Sequence, residues 1–237
     1  MKYFICVGHA YYKNGAISSA DGTEFGGVNE YQYNKALAPY VVKWLEKAGH
    51  EAVLCIAPEG EYNSLDDEIN YFIGEEYKQD YDAAIQLHLN AYNAKAYGCE
   101  AYAYNNNGLT MAESICDKLG TVWYNRGALI KTGLYWTRKT KAKAVLIESF
   151  FCDNKDDYAK AKNLGFDAHG KLIAEGIIGK NIDVKYEKPV FTDSIPKVES
   201  DAIKYRVQIG AYKTKEAAQK MVEKAKAAGI DAIIKTE

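Results

Sequence analysis

No apolar run in these 237 residues approaches the roughly 18 to 20 that a membrane-spanning helix requires, so the sequence predicts no membrane insertion. Neither sign of charge dominates: 30 basic residues stand against 32 acidic ones, a net charge of −2, which argues against a phosphate-binding surface and against nucleic acid as a partner. No two cysteines have C-x-x-C spacing. The five present, Cys6, Cys55, Cys99, Cys116 and Cys152, are odd in number and mostly lie in apolar runs. That argues against a disulfide framework or a cysteine metal site and reads as reduced core thiols. The N-terminus has one Lys, a short apolar run and no signal-peptide cleavage pattern, so the chain is expected to be made in the cytoplasm without a signal peptide. Proline is scarce, and two of its four residues, Pro189 and Pro196, fall in one polar segment without period, residues 183–200, which reads as a linker.

What is present is ordinary globular material, 48% hydrophobic and 26% charged, which speaks against disorder, collagen-like repeats and coiled coil. Over residues 1–182, short apolar runs alternate with longer amphipathic ones, as in a parallel sheet with crossover helices. Strands are expected at 3–7, 52–56, 83–89, 100–104 and 144–147, and helices at 31–47, from Ser64 onward, at 109–125 and at 158–178. The first of these helices has its apolar positions at Leu37, Val41, Trp44 and Leu45 and a stop at Gly49, and Ser64-Leu65-Asp66-Asp67 opens the second like a capping box. The expected fold is α/β, a mostly parallel twisted sheet with helices on both faces. After the linker, a strand at 205–210, a helix at 214–228 and a strand at 232–235 make a small β-α-β unit, residues 201–237, which on its own buries little.

Open α/β sheets bind ligands beyond the carboxyl ends of their strands, so the polar residues that end apolar runs carry the functional signal. Three runs end in a group able to hold a metal or a proton: Phe4-Ile5-Cys6-Val7-Gly8 at His9, Ala83-Ala84-Ile85-Gln86-Leu87 at His88, and Ala144-Val145-Leu146-Ile147 at Glu148. Two of only four histidines are spent this way. Catalytic zinc commonly takes two His and a carboxylate and leaves a fourth position to water. Glu30, in the opening turn of the first helix, and Glu24, six residues earlier, are the candidates for the carboxylate, and spacing leaves both open. His50 and His169 read as structural. The stretch 59–82, nine acids against one Lys, reads as a solvated helix face.

These residues resemble the zinc-dependent N-acetylmuramoyl-L-alanine amidases of bacterial autolysins and phage endolysins. Val7-Gly8-His9 is similar to that family's first-strand motif, Gly27-Val28-Asn29-Glu30 to its G-x-x-E segment, and Gln86-Leu87-His88-Leu89-Asn90-Ala91 to its S-x-H-x-N-A strand end. The run from Val145 to Asn154 is similar to V-L-x-E-x-x-F-x-x-N. Gln86 departs from the usual Ser, and the loop 11–25 is divergent. The resemblance implies one zinc held by His9, Glu30 and His88, which favours Glu30 over Glu24, with Glu148 as the catalytic carboxylate. It implies cleavage of the amide between N-acetylmuramic acid and L-alanine of the peptidoglycan stem peptide. The resemblance also makes Asn90, Arg126 and Arg138 candidates for contact with the substrate, with ordinary surface charge as the alternative for the two arginines, and of the 20 tyrosines only the group near His88 is nominated for glycan contact.

The C-terminal unit, through Tyr205-Arg206-Val207-Gln208-Ile209-Gly210-Ala211-Tyr212, Ala217-Ala218 and Gly229-Ile230-Asp231-Ala232, resembles half of a SPOR-type peptidoglycan-binding domain. Two tails could complete one unit, which implies a homodimer. Endolysin and sporulation autolysin fit equally, each reaching the wall after release through a holin-type pore or mother-cell lysis. A zinc peptidase acting within the stem peptide and a non-catalytic wall-binding protein are the alternative readings.

Overall fold

The computed structural model of the chain describes residues 1–183 and 214–227. It divides into two units, Met1–Val184 and Lys185–Glu237. In the first, six strands form one sheet: β1 (Lys2–Val7), β2 (Glu51–Cys55), β3 (Ala83–Asn90), β4 (Cys99–Ala103), β5 (Asn125–Ile130) and β6 (Lys143–Phe151), in the spatial order β2-β1-β3-β6-β4-β5. Neighbours are parallel except β4 and β6, which run antiparallel, so β4 and β5 point against the other four.

The two-residue period of the strands separates two cores. Tyr3, Ile5 and Val7 face a large core shared with α1 (Glu30–Lys47), α3 (Asn106–Leu119) and α5 (Lys155–Ile178). Phe4 and Cys6 face a smaller one with α2 (Leu65–Glu76) and α4 (Tyr135–Lys139), where Phe72 and Trp136 are buried. Each long helix starts on a side-chain cap: Asn29 accepts from the Gln32 N–H, Ser64 from Asp67, Asn105 from Asn107, and Asn154 from Asp156 and Asp157. α1 then buries Leu37, Ala38, Val41, Trp44 and Leu45 along one stripe, and Gly49, at φ 82, turns the chain toward β2. All five cysteines are buried and free.

The sequence reading errs on the segment 109–125. The helix there ends at Leu119, Asn125 opens β5, and neither β5 nor α4 is expected from the sequence. Val122 and Trp123 continue the apolar spacing past the helix end because Trp123 packs into the same core from a turn, stacked on Phe150 with its indole donating to the Asp157 carbonyl at 3.1 Å. β5 is an edge strand with no buried residue, so it has no alternation to read. The exposed-face reading of 59–82 also fails in part: Glu68 and Glu76 on α2 are buried, and Glu76 accepts the N–H groups of Lys141 and Ala142.

In the second unit, α6 (Lys215–Ala227) lies within the helix expected at 214–228. The strands expected at 205–210 and 232–235, and the linker beyond Asp183, lie outside the described residues.

Candidate metal centre

The chain passes from β1 to β2 on one side and then crosses to β3 on the other side of β1, so the sheet switches direction between β1 and β3. Loops diverge from that point, and it opens a crevice beyond the strand ends. His9 lies two residues past β1, His88 near the end of β3, and Glu148 near the end of β6, in register with His88. Glu30, the first residue of α1, is delivered by a loop pinned to the end of β6. The Val28 N–H donates to the Cys152 carbonyl at 2.9 Å, and a Cβ at Gly22 or Gly27 would stand 2.0 or 1.8 Å from that oxygen.

Three donor atoms converge. Glu30 Oε1 lies 3.0 Å from His9 Nε2 and 3.0 Å from His88 Nδ1, and the two histidine nitrogens are 3.0 Å apart. The second Glu30 oxygen accepts the Ala20 N–H, and Oε1 also takes the Leu89 N–H, so the carboxylate cannot swing away. Burial alone would raise the Glu30 carboxyl, but its bonds to His88 and His9 overcome that and hold it well below the ordinary range. His88 is held below its usual value, by burial first and by the neighbouring His9, against the pull of Glu30. Gly8 makes room for the His88 ring: a Cβ there would lie 2.2 Å from it. His9 has φ 73, a left-handed conformation that L side chains rarely adopt. Its Nδ1 lies 2.8 Å from Ser18 Oγ, which donates to Glu68. Nε2 of His9 therefore offers a lone pair toward the Glu30 carboxylate, two acceptors face to face, an arrangement that a cation stabilises. Two imidazoles and a carboxylate are a donor set suited to zinc.

Glu148 stands beside this trio and is not one of the converging donors. Its Oε2 is buried with no hydrogen-bond partner. Burial, then the charges of Glu30 and Glu100, push its carboxyl well above the ordinary value, with Lys131 opposing. Glu100, on β4, is the direct register partner of Glu148. It accepts from Arg126 Nε at 3.0 Å, from the Tyr102 hydroxyl at 2.6 Å and from the Asn90 side-chain amide. Asn90 and Arg126 thus meet at Glu100, next to Glu148, while the Arg138 guanidinium lies on α4 against the Tyr135 ring, with no hydrogen bond or ion pair to these groups. Glu24 is exposed in a 3-10 turn, apart from the trio. Tyr92 and Tyr97, in the loop after β3, are exposed; Tyr102 is buried on Glu100 and offers no face to a sugar.

His50 packs edge-on against Tyr3, and His169 is buried with its Nδ1 2.9 Å from the Tyr33 hydroxyl. Sequence reasoning missed Ser18, Glu68 and Glu100. Nothing local marks Ser18 or Glu68, whereas Glu100 opens the 100–104 run as a charged residue in an apolar stretch, and that is the one signal that could have found it.

Residues 4–179 match the N-acetylmuramoyl-L-alanine amidase family, about three quarters of the chain. The chain belongs to this family. Residues 174–236 match the SPOR domain, starting within the last turns of α5. Among solved structures, the catalytic domain of the CD27L endolysin targeting Clostridia difficile is 50% identical and superposes with a TM-score of 0.74, over 77% of this chain and 99% of that one. The amidase AmiC2 of Nostoc punctiforme, 22% identical with a TM-score of 0.62 over 76% and 96% of the two chains, shares the fold. An uncharacterized Clostridium perfringens protein, CPE1502, is 29% identical over 206 residues, 82% of this chain. The chain spans 57% of the length of that relative. The amidase domain is thus a mixed α/β domain with a six-stranded sheet between helices, followed by a SPOR region.

Proposed function

We propose that this amidase hydrolyses the amide between the lactyl group of N-acetylmuramic acid and the L-alanine of the peptidoglycan stem peptide, with one zinc held by His9, Glu30 and His88. The observation that carries the reading is the convergence of His9 Nε2, Glu30 Oε1 and His88 Nδ1 at 3.0 Å from one another, with the free carboxyl of Glu148 on the adjoining strand. Donors about 3 to 3.5 Å apart suit a cation with bonds of roughly 2.0–2.2 Å. When bound, the metal supplies a Lewis acid for the scissile carbonyl and makes a neighbouring water more acidic.

Glu148 takes the proton of the attacking water and returns it to the nitrogen of the departing alanine. Its raised pKa suits the second task, because a carboxylic acid far down its titration at neutral pH would have no proton to give. Glu30 cannot compete for that role while both of its oxygens are occupied. Asn90 and Arg126, tied to Glu100, form the wall beside Glu148 and present donors to the carbonyls and carboxylates of the stem peptide. Arg138 would act on a more distant part of the substrate. The SPOR region would hold the enzyme on the wall, and pairing of two such regions would make it a homodimer. The 50% identity to an endolysin catalytic domain supports an endolysin that is made in the cytoplasm and released at lysis, over a sporulation autolysin.

Turbidity of purified cell walls, followed with the protein as prepared, after chelation and after zinc is restored, tests the reading, with new amino termini sequenced in the soluble products. Chelator-sensitive, zinc-restored clearing that exposes alanine termini is expected. New termini elsewhere in the stem peptide, or no clearing at all, would refute it.

A further inference from the structure

Glu68 lies within the acidic stretch 59–82, yet it is 2% exposed on α2, and its Oε2 accepts the hydroxyl of Ser18 at 2.7 Å. The same Ser18 oxygen lies 2.8 Å from Nδ1 of His9. The chemistry fixes the direction of both bonds. A carboxylate only accepts, so the single hydroxyl proton of Ser18 is committed to Glu68, and its oxygen has only lone pairs left for the imidazole. Nδ1 of His9 must then carry the ring proton, and Nε2, the atom turned toward Glu30 and His88, must be bare.

This matters more at His9 than it would at a residue in regular structure. His9 follows the end of β1 with a backbone in the left-handed region, so the strand does not continue to fix its ring. Ser18 belongs to the divergent loop and Glu68 to the opposite helix layer, so this chain of bonds links the loop and α2 directly to the imidazole.

We propose that Ser18 and Glu68 are positioning residues that lock the tautomer and direction of the His9 ring and so set the metal affinity of the centre. This inference rests on the metal reading given above. Partners of this kind commonly change metal affinity by 10- to 100-fold when removed.

The test compares the full-length wild type with Ser18→Ala, Ser18→Thr and Glu68→Gln. Zinc dissociation constants are read by competition with a chromophoric chelator, and the His9 ring tautomer by nitrogen chemical shifts in the metal-free protein. Ser18→Ala is expected to weaken zinc roughly 10- to 100-fold, with Glu68→Gln in the same direction. It should also mix the two His9 tautomers while the metal-free melting temperature stays near wild type. Ser18→Thr, which keeps the hydroxyl, should restore affinity to within about threefold. Wild-type affinity and tautomer in Ser18→Ala would overturn the relay, as would equal losses in Ser18→Ala and Ser18→Thr. A wild type that binds no zinc would instead bring down the metal reading itself.

Discussion

Glu148 and Glu100 are register partners on the antiparallel pair β6 and β4, two carboxylates on one face of the sheet with opposite circumstances. Glu100 is saturated by Arg126, Tyr102 and Asn90, whereas Glu148 has a buried oxygen with no partner at all. A buried carboxyl left unsatisfied costs stability, and such groups persist where chemistry requires them. Glu148→Gln should therefore leave zinc content at the wild-type level and cut wall lysis by about 10²- to 10⁴-fold, the usual worth of a positioned acid-base group. Metal analysis alongside a turbidity assay checks both halves, and lysis above a tenth of the wild-type rate would remove Glu148 from its role.

Arg126 and Glu100 share one ion pair, so their substitutions should not add. Arg126→Ala and Glu100→Gln are each expected to lower kcat/KM, and the double variant should lose no more than the worse single one, a coupling within the roughly 0.5–3 kcal/mol range of contacting groups. Metal content should be unchanged in all three. Strictly multiplicative losses would mean that the two side chains act separately.

Two glycines make a matched pair for testing space against entropy. A Cβ at Gly8 would lie 2.2 Å from the His88 ring, whereas one at Gly74, inside α2, would have nothing within 4 Å. Gly8→Ala is expected to cost at least about 2 kcal/mol of stability or to expel the His88 ring and with it the metal. Gly74→Ala should stabilise by about 0.5–1 kcal/mol, since it removes backbone freedom from the unfolded chain without strain. Denaturant melts and zinc titrations of both variants read the contrast.

His169 provides the pH dependence. Burial among Tyr33, Trp123 and Phe150 pushes its pKa from 6.5 down to about 3. A His depressed in the folded state binds its proton more tightly when unfolded. Its contribution is therefore fully present above pH 6.5 and is lost as pH falls toward 3, at up to about 1.4 kcal/mol per unit. His169→Phe removes that slope. The wild type should lose stability faster than the variant between pH 6 and 4 in urea melts, and parallel curves would contradict the assignment.

Removing the metal should also reach beyond activity. On the proposed reading zinc would bind the folded chain and not the unfolded one, so chelation should lower the melting temperature, and added zinc should raise it in a concentration-dependent way. Differential scanning calorimetry at two zinc concentrations measures this directly.

The parts of this site that were legible in the sequence are those whose signal is local. A short apolar run that ends at His9, His88 or Glu148 is visible within ten residues, and Asn29 ahead of Glu30 announces a helix start. Glu100 and Ser18 gain their roles from register and from a loop crossing, which no window of sequence contains. Glu68 and Glu76 look like their exposed neighbours because composition cannot tell an acid that meets water from one that meets backbone N–H groups or a hydroxyl. β5 escaped because an edge strand with no buried residue loses the alternation by which strands are recognised.

The carbonyl of Cys152 holds down the loop that starts at His9 and ends at Glu30, through Val28 and through the two glycines that could not carry a side chain there. Cys152 directly follows the strand that bears Glu148. Glu30, the proposed ligand, and Glu148, the proposed acid-base group, are therefore tied to one another through that one carbonyl, in addition to the register that sets His88 beside Glu148, and a shift of either would carry the other along. The middle of that loop has open space at Gly15, but its foot has none: a side chain at Gly22 or Gly27 would meet the Cys152 carbonyl and displace Glu30 relative to Glu148 before it touched either of them.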